Sequence, residues 1–130
     1  MPSVIPSAKS LTLCDAVATR EGGRTTLHGL FNSLRIVTFP YSLGHFCAFA
    51  QLSHGLGEVE THFEVSEVGA DTPLYVTSPR RIEFPNRDFL IQLAVEIRGC
   101  TFQRPGFYLV QLFCDDQWVC DTSFQLRWFE

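Results

Sequence analysis

Between residues 57 and 67, Val59, Thr61, Phe63 and Val65 alternate with Glu58, Glu60, His62 and Glu64. A period of two puts the first set on one face and the second on the other, the pattern of a strand with one wet side. The same period runs through residues 89–98, where Phe89, Ile91, Leu93, Val95 and Ile97 form one set. It returns at the end of the chain, where Trp118, Cys120, Thr122, Phe124, Leu126 and Trp128 alternate with Gln117, Val119, Asp121, Ser123, Gln125 and Arg127. Residues 10–19 and 25–30 read as two strands joined by a hairpin, because Gly22 and Gly23 both tolerate positive φ. The apolar run 46–52, bounded by Gly44 and Gly55, predicts a central strand. Residues 34–39 and 74–77 are shorter candidates, and residues 107–114 follow the turn Arg104-Pro105-Gly106. Residues 80–84 lie between Pro79 and Pro85, which suits an edge strand.

No window sustains the i, i+3, i+4, i+7 spacing of a helix, and twelve Phe with many Val, Ile and Thr favour pleated surfaces. The expected fold is therefore all-β, an antiparallel β-sandwich of immunoglobulin or fibronectin type, with a small closed barrel as the nearest alternative. One domain over residues 8–130 is expected, after a short extension at 1–7. The last hairpin admits two registers. A two-residue turn at Asp115-Asp116 pairs Phe113 with Trp118, whereas a longer loop or a bulge pairs Leu112 with Cys120 and buries Tyr108, Val110 and Leu112. The second aligns the apolar faces better, and in neither is Cys114 opposite Cys120.

At 130 residues the chain is long enough for a core without staples. Charged residues are 18% and hydrophobic ones 45%, a balance that excludes general disorder. The net charge of -4 argues against tracking a nucleic-acid backbone. No apolar run reaches the roughly 18 residues of a membrane helix, and the first residues lack the basic and apolar regions of a signal peptide. Five cysteines, without a CxxC and in odd number, suit reduced thiols in a cytoplasmic protein.

Candidate chemistry is sparse. His45 and Cys47 share a strand face, but no spacing matches a zinc site, and no metal or cofactor is expected. Asp15, in Leu13-Cys14-Asp15-Ala16-Val17, is a candidate acid or base in an apolar setting, set against a simpler role at a strand irregularity. Asp115, Asp116 and Asp121 read as a solvated hairpin tip rather than a calcium loop. Arg80, Arg81 and Arg87 follow the acidic stretch 58–71 and could pair with it, or bind a partner or an anion. Tyr41, beside Pro40, and the terminal Trp128 and Phe129 are candidate binding rings, since Trp128 and Phe129 cannot both point inward from one strand.

Leu11-Thr12-Leu13-Cys14-Asp15-Ala16, then His28-Gly29-Leu30-Phe31-Asn32, the pair Phe39-Pro40, the strand 46–52 and Pro105-Gly106-Phe107-Tyr108 with Trp118 together resemble a family of small bacterial proteins, a domain of unknown function. Asp115-Asp116 departs from that pattern, in which Asp-Gly is usual. The resemblance implies an all-β, single-domain, cytosolic protein and carries no activity with it. The expected function is a non-enzymatic protein-binding or assembly module, acting through a protein partner or self-association, without nucleic acid or membrane. The alternatives are a small-ligand or carbohydrate-binding module, and a small hydrolase with a cleft acid or base.

Overall fold

The computed structural model describes residues 2–129, an all-β chain without an α-helix among them. The strands are β1 (Ser7–Cys14), β2 (Ala16–Thr19), β3 (Thr25–His28), β4 (Ser33–Ile36), β5 (Tyr41–Ser53), β6 (Gly57–Glu67), β7 (Tyr75–Val76), β8 (Arg80–Phe84), β9 (Ile91–Phe102), β10 (Gly106–Cys114) and β11 (Gln117–Trp128). A three-stranded sheet runs β1-β5-β9. A six-stranded sheet runs β4-β11-β10-β6, with β7 and β8 both paired to the far side of β6. The hairpin β2–β3 turns through a 3-10 segment at Glu21–Gly23.

The alternation in β6 does what its period dictates. Val59, Thr61, Phe63 and Val65 are buried, while Glu58 and Glu60 are exposed on the other face. From the facing sheet, Phe46, Ala48, Ala50 and Leu52 of β5 and Leu93 and Ile97 of β9 join the same core. Its centre is aromatic: Phe124 of β11 touches Phe46 and Phe102 across the layer and Tyr108 beside it. Residues 46–50 of β5 are buried without a break because that strand is covered on both sides. The six-stranded sheet covers one face, and the β2–β3 hairpin lies over Cys47 and Phe49 on the other.

Three expectations need correction. The sheets are not purely antiparallel: β4 runs parallel to β11, in register from Ser33 with Gln125 to Ile36 with Trp128, so the six-stranded sheet is mixed. Residues 10–19 are not one strand. The chain breaks at Asp15 because its backbone N–H leaves the β1–β5 ladder and donates to the carbonyls of His28 and Gly29. The C-terminal hairpin combines both registers. Asp115 and Asp116 adopt positive φ (49° and 62°) in a two-residue turn, so Phe113 faces Trp118. A bulge at Val119 then restores Leu112 opposite Cys120, and Tyr108, Val110 and Leu112 are buried as the apolar faces require. The bulge also carries Trp118 out of the inward set in which strict alternation had placed it.

The sheets are joined along one side. Phe31 N–H donates to Leu13 O on β1 (3.1 Å), and Gln125 N–H on β11 donates to Asn32 O (2.9 Å). Gly29 enters this seam at φ 68°, and a Cβ there would lie 2.2 Å from an Asp15 carboxylate oxygen. The positive φ favours glycine there, and any side chain would also displace the Asp15 carboxylate. Near the other end of β6, Glu67 takes two bonds from the Arg104 guanidinium (2.7 Å each), which hold its carboxyl below the ordinary range.

Candidate functional site

The two large sheets treat their outer faces differently. The β2–β3 hairpin covers the middle of the outer face of the three-stranded sheet, over Cys47 and Phe49, whereas no element covers the outer face of the six-stranded sheet among the described residues. Alternation on β10 turns Phe107, Leu109, Gln111 and Phe113 outward, because Tyr108, Val110 and Leu112 face the core. Register then lays the face out in rows across β6, β10 and β11. His62, Phe113 and Trp118 stand abreast, followed by Glu64, Gln111 and Asp121, then Ser66, Leu109 and Ser123. The next row is Phe107 beside Gln125, and beyond it Arg127 lies beside Arg35 of β4.

Trp118 is 56% exposed and Phe107 55%. His62 stacks on Phe113 (centroids 5.0 Å apart, planes 6° apart), and its Nε2 lies 2.9 Å from Glu64 Oε2. The indole Nε1 of Trp118 donates to Asp121 Oδ2 at 3.2 Å. At the turn, Asp115 Oδ1 accepts the Glu60 N–H. The end of the face near the hairpin tip is thus aromatic and acidic, and the other end carries the two arginines.

The residues singled out from sequence fall around this face. Arg80 and Arg81 sit on β8 at its margin. Arg81 lies opposite Glu60 with its Nη1 3.8 Å from Glu58 Oε2, so the acidic stretch and the arginines are cross-strand neighbours. Arg80 instead donates to the Ala94 carbonyl on β9 (2.8 Å), bridging to the other sheet, and Arg87 donates to His54 O (2.9 Å). The three arginines engage different elements and form no common anion pocket. Trp128 and Phe129 are both exposed at the end of β11. The Trp128 indole donates to Val37 O, and the Arg35 guanidinium lies 5.6 Å over the Phe129 ring. Trp128 also lines a cavity of about 400 Å³ with Val37, Thr38, Phe39 and Pro105. Tyr41 is elsewhere, opposite Phe102 at the start of β5, packed half-buried against the core.

The other candidate chemistry gathers on the opposite side of the molecule. His45, Cys47, Asp15 and Glu96 line a cavity of about 240 Å³, with Cys14 directly opposite Cys47. Burial pushes both thiols up, and the neighbouring Cys47 for Cys14, and Glu96 for Cys47, push them further. Those shifts oppose formation of the thiolate a nucleophile needs. Asp15 is exposed rather than set among apolar groups. Among the described residues no three His, Cys, Asp or Glu side chains gather closely enough to hold a metal ion, and all five cysteines are unpaired. No helix of the described residues is long and apolar enough to cross a membrane.

Sequence reasoning missed Phe107, Leu109, Trp118, Asp121, Arg35 and Arg127 as one surface. The period-two pattern of β10 carried the signal for the first two. The pairing of Arg35 with Arg127 depends on a parallel contact between distant segments, which no local pattern encodes.

Among solved structures, the β-glucosidase from Listeria innocua in complex with glucose matches at 11% identity and a TM-score of 0.49, over 94% of this chain and 16% of that one. The alkylpurine DNA glycosylase AlkC from Pseudomonas fluorescens, bound to DNA containing an abasic site analog, matches at 8% identity and a TM-score of 0.46, over 90% of this chain and 30% of that one. The chain thus spans under a third of these proteins. No curated protein sequence matches it. A family model covers residues 9–127, so the segments that build the seam, from Cys14-Asp15 to Phe31-Asn32, and the whole outer face fall within it apart from the last residues. On that match the chain belongs to the family of unknown function DUF6941.

Proposed function

We propose that this chain is a non-enzymatic protein-binding or assembly module whose working surface is the outer face of the six-stranded sheet. The observation that carries the reading is the contrast between the two outer faces. Phe49 and Cys47 on one are buried beneath a hairpin, while Phe107 and Trp118 on the other stand more than half exposed. Exposed aromatic rings with polar and charged neighbours are the composition of an interface core and rim. Asp15, the candidate acid or base of the hydrolase alternative, is exposed rather than set among apolar groups, which weighs against that alternative.

The same reading takes the fold as a distant immunoglobulin- or fibronectin-type sandwich. Its support is the Tyr108 hydroxyl, which donates to the backbone carbonyl of Arg104 four residues upstream, as a tyrosine corner does. A bacterial, cytoplasmic setting accords with five unpaired thiols, four of them buried. Arg81 and the terminal Phe129 then serve as the rim of the surface.

Native mass spectrometry of the gently purified chain tests the proposal. Wild type is expected in a complex with another polypeptide, whether its own copy or a different protein. The Phe107→Asp/Trp118→Asp variant is expected alone, with an unchanged thermal melt. A wild-type chain that is always alone, or a complex indifferent to both substitutions, overturns the reading.

A further inference from the structure

We propose that the occupant of this face is a second copy of the same chain, docked about a two-fold axis; the proposal rests on taking the face as the working surface. Arg35 and Arg127 are direct register neighbours on β4 and β11, both exposed and both outward, since Leu34, Ile36 and Leu126 face the core. Among the described residues neither has a carboxylate within ion-pair distance. Like charges side by side on a sheet are destabilising until an anion covers them.

The same strand carries the complement. Asp121 also points outward from β11, six residues before Arg127 and so about 20 Å away along the strand, with Glu64 in its row. A two-fold axis lying in the interface, perpendicular to the strands at the level of Phe124, keeps β11 over β11 and reverses its direction. Each Asp121 then meets the Arg127 of the other copy. An axis along the strands would instead stack acid on acid and arginine on arginine, so charge selects the first arrangement.

The region beside the axis has the remaining features of an interface. Phe107 and Leu109 occupy the rows on either side of it. Phe107 borders a depression of about 270 Å³, also lined by Asn32, Ser33, Ser123, Phe124 and Gln125, into which the partner's ring can seat. Five strand positions at about 4.8 Å and nine residues at about 3.4 Å give a face of roughly 700 Å² in projection. That approaches the ~800 Å² per partner of a standard interface. Apolar contact sits at the axis and charge at both ends, the usual division between core and rim.

The test is sedimentation velocity over a concentration series, on wild type, Asp121→Arg, Arg127→Asp and the double swap Asp121→Arg/Arg127→Asp. Wild type is expected to dimerise, more weakly as salt rises from about 0.05 to about 0.5 M. Each single reversal acts twice across the axis, so it is expected to weaken the dimer at least about tenfold. The double swap rebuilds both pairs with their signs exchanged and is expected to restore dimerisation, which a general loss of folding cannot mimic. A wild-type chain that stays monomeric throughout, or a dimer indifferent to the single reversals, overturns the inference. A monomer that still binds a different protein through Phe107 and Trp118 overturns this inference alone and leaves the binding-module reading standing.

Discussion

Phe124 is the side chain on which the joining of the two sheets depends most directly, and truncating it gives a quantitative test of the fold. Its ring is 1% exposed, with centroids 5.7 Å from Phe102 and Tyr108, 6.1 Å from Phe31 and 6.2 Å from Phe46. Two of these rings belong to the facing sheet and Phe31 to the seam, so one truncation loosens three parts of the structure. Phe→Ala in a core costs about 3–5 kcal/mol, from lost transfer energy plus the cavity left behind. Each ring pair adds about 0.5–1.5 kcal/mol beyond area burial, and four go at once, which places Phe124→Ala at the upper end of that range. Against a total of about 5–15 kcal/mol, the variant should lie close to its unfolding transition at room temperature. Phe124→Leu keeps most of the volume and should lose about 1–3 kcal/mol, enough to measure with a folded baseline. Leu90→Ala, in the exposed β8–β9 connection, should stay within about 0.5 kcal/mol of wild type. Urea unfolding followed by far-UV circular dichroism reads all three, with the slope m checked for constancy. A loss below about 1.5 kcal/mol for Phe124→Ala, or an equal loss for Leu90→Ala, would refute this packing.

Two glycines and three thiols extend the test. A Cβ on Gly55 would lie 2.6 Å from two ring carbons of the buried Phe84, so Gly55→Ala should cost about 1–3 kcal/mol in the same assay. Nothing lies within 4 Å of the corresponding position on Gly44, and Gly44→Ala should be neutral within about 0.5 kcal/mol; the reverse order would contradict the packing at both sites. Burial pushes the thiols of Cys100, Cys114 and Cys120 up to about 11, 12 and 11, from the ordinary 9.0. Above the unfolded value the unfolded chain releases these protons first. Stability is therefore fully present below pH 9 and declines toward pH 11, each thiol removing up to about 1.4 kcal/mol per pH unit. The urea midpoint against pH should fall in that window with a shallower slope in Cys114→Ala, and a wild-type midpoint that stays flat would rule the shifts out.

Most of the strand content was legible because it depends on local alternation. β6 and β8 lie where the sequence pattern places them, and the run 46–52 is the C-terminal half of the central strand β5. Two of the errors share a cause: each arises where a backbone hydrogen bond is made to a distant partner. Asp15 leaves its strand to bind the carbonyls of His28 and Gly29, within a run whose apolar residues gave no sign of a break. β4 lies parallel to β11 because Asn32 docks on Gln125 and sets the direction of the strand that begins at Ser33. The hairpin register was ambiguous for a different reason. The two-residue turn and the burial of Leu112 with Cys120 make incompatible demands on a regular ladder, and one extra residue at Val119 satisfies both.

That bulge also shapes the proposed binding face. Without it, strict alternation would hold Trp118 in the same set as Phe124, facing the core. With it, Trp118 stands opposite Phe113 on the outer face and its indole reaches Asp121. Burying Leu112 against Cys120 therefore exposes a tryptophan on the one large face that no other element covers among the described residues. Two more features of that face depart from the pattern of a solvated sheet. β6 alternates with Glu and His outward as a solvated strand should, but its neighbour β10 turns Phe107, Leu109 and Phe113 out. Arg35 and Arg127 lie abreast without an acid between them among the described residues. The proposed two-fold dimer would cover all three, with the charges along β11 pairing end for end.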